Sequence, residues 1–181
     1  MTAIPPENYA QTLADDTRAA LPPIAGEREL LVAYLDHYRE TFELKCRDLN
    51  AAQLSERAVA PSALSLHGLA RHLAGTERWW FQQQFRSADV PHLYYTDDAP
   101  DLDFEGLEGD PGEALAVWRA ECATSRRIVA EAASLDETGV QLSSGQPISL
   151  RRIVLHMITE YARHDGHADL LRERLDGATG R

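Results

Sequence analysis

Apolar residues recur at every third or fourth position along four long stretches, which is the spacing of amphipathic helices. The longest stretch runs from Ser149 to Leu175. At about 100° per residue, Leu150, Ile153, Met157, Tyr161, Ala168, Leu171 and Leu175 share a stripe roughly 80° wide. Arg151, Asp165, Asp169, Arg172 and Glu173 fall to the solvent side in this reading. Ser149 is the expected N-cap, and Gly177 the expected stop.

Three further helices are expected upstream. From Glu27 to about Asn50, Leu31, Tyr34, Leu35, Tyr38, Phe42 and Leu49 make the inner face and Asp36, Arg39 and Glu40 the outer one. A second helix starts near Ser62 or Ser65 and runs to about Phe85, with Leu66, Leu69, Leu73 and Trp80 inward. A third spans about Gly112 to Ser134, its seam carrying Leu115, Trp118, Cys122, Ser125, Val129 and Ala132. Leu135 to Pro147 reads as a polar turn region, and no strand is expected. The pattern predicts an all-α protein, an antiparallel four-helix bundle with crossovers. The expected divisions are an N-terminal arm over 1–25, the bundle over 26–176 and a short tail over 177–181.

The connection between the second and third helices, Ser87 to Pro111, holds eight acidic residues from Asp89 to Asp110 and no Lys or Arg. Its glycines and carboxylates are out of register with a calcium loop. Tyr94, Tyr95 and Phe104 are placed to cover a pocket, but a solvated acidic loop is the simpler expectation.

Composition narrows the function class. A formal charge of −11 argues against nucleic-acid binding. No long apolar run or leader pattern is present, so no membrane span is expected. Cys46 and Cys122 lie far apart without metal-knuckle spacing and read as reduced thiols of a cytoplasmic protein. Lys45 is the only lysine, an arginine bias that hints at a GC-rich source.

Against this background two residues of the last helix stand out. Glu160 and His164 project into the apolar stripe four residues apart, close enough for both to reach one cation. A buried carboxylate needs a partner. Two readings meet that need: a core histidine hydrogen-bonded to the glutamate, or a metal site completed by a third ligand from elsewhere. In the second helix His67 falls with Arg71 and Arg78 on the polar side, so elimination leaves His72 as the third candidate. Glu77 projects inward, as the partner of an arginine in a half-exposed ion pair or as support for a ligand. His156 and His167 flank the stripe.

The segments HLAGTERWW (His72 to Trp80) and HMITEYARHDGHADLLRE (His156 to Glu173) resemble the DinB-like superfamily. The likeness is to its actinobacterial branch, related to the metal-binding domain of mycothiol-dependent maleylpyruvate isomerase. The resemblance implies a four-helix bundle with metal ligands at His72, Glu160 and His164, His167 standing behind them and His156 at the edge. Many members carry histidine at the first position of the last-helix pair, whereas Glu160 is similar to the isomerase pattern. It further implies a divalent metal, zinc first, with nickel, manganese and iron also suited to two nitrogens and one carboxylate. Mycothiol or another small thiol would be the cosubstrate and nucleophile, and a small electrophile the acceptor. With no second domain after the bundle, S-transfer is a better expectation than isomerisation. Two other readings remain: a non-catalytic bundle that binds a metal or small molecule in a stress-related role, and a purely structural bundle. A homodimer through one bundle face is compatible with each.

Overall fold

The computed structural model describes residues 16–179. Residues 1–15 of the expected arm and residues 180–181 of the expected tail lie outside them. The described residues are mostly helical, with one small two-stranded sheet among them. Helix α1 spans Glu27–Cys46, α2 Ala51–Ser55, α3 Leu66–Glu77, α4 Leu102–Glu105, α5 Pro111–Glu131 and α6 Leu150–Asp176. Strands β1 (Thr138–Gln141) and β2 (Gln146–Ser149) separate α5 from α6. Helix α1 lies along α6 and α3 along α5, with α3 also meeting α6.

The helix ends follow local chemistry. Ser65 Oγ accepts a hydrogen bond from Gly68 N and starts α3. Asp110 and Pro111 open α5, where the missing proline N–H costs nothing. Ser149 Oγ accepts from Arg152 N at the start of α6, and Gly177 closes that helix in the left-handed region at φ 78°. Helix α1 stops short of Asn50: Arg47 leaves the helix in an extended conformation, and Asp48 follows at φ 64°. Asn50 then caps the separate helix α2 in a reciprocal box with Gln53.

After Glu77 the helix widens into a π-helical segment, Arg78–Phe85. The hairpin seats on this segment. Its strands are antiparallel, pairing Gly139 with Ile148, and β2 runs directly into α6. The expectation of no strand is therefore corrected. A four-residue strand carries too little pattern to announce itself, and two strands alone are marginal without a surface to pack on.

The core joins Leu35 and Phe42 of α1, Leu69 and Leu73 of α3, Trp118 of α5, and Ile153, Met157 and Tyr161 of α6. Each fully buried side chain of this kind contributes about 1.5–3 kcal/mol. A polar chain threads the same space. Trp118 Nε1 donates to Tyr161 Oη at 2.8 Å, and Tyr161 Oη donates to Glu77 Oε1 at 2.7 Å. Arg39 closes the chain with a two-pronged contact to Glu77. All four long helices thus share one hydrogen-bonded network.

Several faces differ from the expected ones. Arg39 is buried, because Glu77 lies opposite it. Tyr34, placed on the inner face, is exposed. Arg172 is buried and donates to Lys45 O at 3.0 Å and Arg47 O at 2.6 Å, satisfying carbonyls at the end of α1. Asp165 is buried with no hydrogen-bond partner for either oxygen among the described residues. Burial, then the neighbouring Asp169 carboxylate, pushes its carboxyl up to about 8. Both residues border the apolar stripe of α6, where α1 covers more of the helix than the stripe alone indicates.

Candidate functional site

Helix geometry brings Glu160 and His164 to one side of α6, facing His72 on α3. Glu160 Oε1 accepts from His72 Nε2 at 3.1 Å and from His164 Nε2 at 3.2 Å. The two imidazole rings are 4.7 Å apart. One ligand atom from each of the three residues lies within 4.8 Å of the other two.

The surroundings set the charges. Glu160 is held well below the usual carboxylate range, first by the His164 hydrogen bond and then by that from His72. Burial works against charge on His72, but its bonds to Asp103 and Glu160 outweigh that and raise it to about 9. His72 Nδ1 donates to Asp103 Oδ2 at 2.8 Å. His167 Nδ1 stands 3.3 Å from His164 Nδ1. Burial, then His164, keeps His167 below its ordinary pKa.

Beside the three residues opens a cavity of about 340 Å³. Thr76, Trp79, Trp80, Tyr95, Phe104 and His156 line much of it, with His72 and Glu160 in its wall. The ring of His156 lies 4.3 Å from that of Trp80, and burial lowers its pKa. Phe104 stacks on His72 at 4.8 Å. The donor set fits a divalent cation: two imidazole nitrogens and a carboxylate oxygen converge from two helices, as zinc and its neighbours accept.

The sequence of residues 30–177 matches the family described as mycothiol-S-transferase. The chain belongs to the mycothiol-S-transferase family. The matched span begins within α1 and ends just past α6, so every side chain of the site falls inside it. Membership agrees with the resemblance carried by the segments around His72 and His156–Glu173. The crystal structure of a conserved protein from Enterococcus faecalis has a similar fold. It aligns at a TM-score of 0.61 and 15% identity, covering 84% of this chain and 98% of its own. No curated protein matches the sequence.

Two expectations about neighbouring residues need correction. His67 is buried, not on a solvated face, because α2 covers it and Ser55 Oγ lies 3.1 Å from its Nδ1. Burial, then Arg71, lowers its pKa. It lies outside the three-residue cluster around Glu160. The acidic connection is not uniformly solvated either. Asp103 is buried and reaches His72, while Tyr95 and Phe104 line the cavity. The sequence offered no signal for Asp103, which is one carboxylate among eight. Trp79 and His156 were within reach, as an aromatic pair and a histidine one turn before Glu160.

Proposed function

We propose that the protein is a metal-dependent S-transferase that uses a low-molecular-weight thiol, mycothiol in the first instance, against small electrophiles. The observation that carries this reading is the convergence of His72, Glu160 and His164 at an aromatic cavity in a chain of this family. We read the architecture as a DinB-like four-helix bundle over 26–176, with 1–25 as an arm and 177–181 as a tail. We read the protein as cytoplasmic; no described helix is long and apolar enough to cross a membrane.

In this reading His72 Nε2, His164 Nε2 and a Glu160 oxygen hold the cation, with zinc the first candidate and nickel, manganese or iron the others. A divalent cation bound there supplies the positive charge that keeps a thiol deprotonated near neutral pH. The protein's own groups do the remainder. Glu160 offsets part of that charge, leaving the site partly cationic and attractive to an anionic sulfur. Trp79, Trp80, Tyr95 and Phe104 exclude water and hold the apolar part of the electrophile against the nucleophile. His156, kept neutral by burial, stands in the same wall as a proton acceptor.

The test is conjugation of a chloromethyl fluorogenic electrophile with mycothiol by zinc-loaded protein, alongside His164→Ala. Turnover by the parent protein and loss to the uncatalysed rate in the variant are expected. Equal rates for the two proteins would remove the site from the reaction. Zinc binding without turnover across several thiols would replace the reading with a non-catalytic one.

A further inference from the structure

We propose that Asp103 is a positioning residue for the cation site, and that cation binding is coupled to docking of residues 102–108 on α3. This rests on the reading of His72, Glu160 and His164 as ligands. Asp103 belongs to the most acidic stretch of the chain, yet it is 3% exposed. Withdrawing a carboxylate from water is costly unless donors meet it. Here each oxygen has one: Oδ2 accepts from His72 Nδ1, and Oδ1 accepts from the backbone N of Phe104 at 2.9 Å.

The contact lies on the edge of the His72 ring away from Glu160, because Asp103 takes Nδ1 while Glu160 faces Nε2. Asp103 therefore acts through the imidazole. An N–H fixed at Nδ1 leaves Nε2 as the nitrogen whose lone pair serves a cation, and the carboxylate makes that nitrogen a stronger donor.

The segment carrying Asp103 is fastened to α3 at several points. Arg71 donates to Leu102 O at 3.0 Å and to Glu108 O at 3.2 Å. Arg57, which precedes α3, donates to Phe104 O and Glu105 O. One turn before His72, Gly68 admits the Phe104 backbone, since a Cβ there would stand 3.3 Å from Phe104 Cα. The His72 ring is thus held between Glu160 and His164 on one side and Asp103 and Phe104 on the other. Any ligand that fixes this ring favours the docked segment, and by reciprocity the docked segment favours the ligand.

The experiment is a zinc titration of the full chain against a chromophoric chelator, comparing parent, Asp103→Ala and Asp103→Asn. Hydrogen exchange over 94–108 is followed with and without zinc. Asp103→Ala is expected to bind zinc about 10–100-fold more weakly. Asp103→Asn, which has the same shape and an oxygen still able to accept, falls between. Zinc is expected to slow exchange of the segment in the parent and not in Asp103→Ala. Unchanged zinc affinity in both variants, or exchange indifferent to zinc in the parent, overturns the inference while leaving the ligand assignment standing. Failure of the parent itself to bind zinc overturns both, and is seen directly in the parent titration.

Discussion

Arg39 and Glu77 form a fork-on-fork ion pair between α1 and α3, at 2.8 and 2.7 Å, with 3% and 0% of their surfaces exposed. Such a pair makes a modest net contribution to stability when intact and a large loss when half of it is removed. Arg39→Met should therefore lower unfolding stability by about 3–5 kcal/mol in urea. Adding Glu77→Leu should recover part of that loss. A single variant as stable as the parent would mean that the buried carboxylate finds another partner.

The same carboxylate sets a pH dependence. Burial would raise its pKa, but Arg39 outweighs burial and holds it below its ordinary value of 4.5. A depressed folded-state pKa stabilises the fold above the unfolded value, and the contribution disappears as pH falls through the folded value. Stability measured from pH 7 to pH 3 should fall on the acid side. Glu77→Gln should be less stable at pH 7 and show a shallower acid slope. Parallel curves would rule out Glu77 as the source.

Metal removal gives a third expectation. A cation that binds only the folded chain at a hundred times its dissociation constant adds about 2.7 kcal/mol. Chelation should lower the melting temperature and zinc should restore it. His164→Ala should melt at one temperature whether or not zinc is present. An equal zinc response in that variant would place any binding elsewhere.

Gly139 reports on the hairpin. A Cβ at this position would lie 2.3 Å from Gln84 O and 2.4 Å from Phe85 Cα, both backbone atoms that no side-chain rotation can move aside. Gly139→Ala is expected to cost about 1–3 kcal/mol or more. The readout is denaturant midpoint at unchanged slope. Parental stability would show that β1 does not rest on the π-helical segment.

Residues near one another in sequence were the most legible. The cap at Ser149, the stop at Gly177 and the one-turn spacing of Glu160 and His164 all follow from local rules, and the structure has the same ends and spacing. Periodicity sets His67 on the polar face and so leaves His72 as the candidate of its helix, whereas α2 in fact buries His67. Arg39, Arg172 and Asp103 share a different cause. Their burial depends on a partner that is 38, 127 and 31 residues away respectively. Helical periodicity ranks a side chain by the face it occupies, and it carries no information about which distant group faces it. The hairpin was missed because its strands are only four residues long and their docking depends on distant residues, with Gly139 packed against the backbone of Gln84 and Phe85 and Ile148 buried in the core.

The widened coil from Arg78 to Phe85 has a lasting effect on how this chain tolerates change in length. A π-type turn stores one residue beyond the α-helical complement. Deleting a residue between Arg78 and Phe85 lets the coil revert to ordinary α-helix, while everything through Glu77 keeps its place. An insertion or deletion within regular helix rotates all that follows by about 100°. Here the reserve absorbs a deletion, and the cost falls on whichever indole, Trp79 or Trp80, loses its view of the cavity. The shape of the pocket wall is thereby open to change through chain length as well as through side-chain replacement.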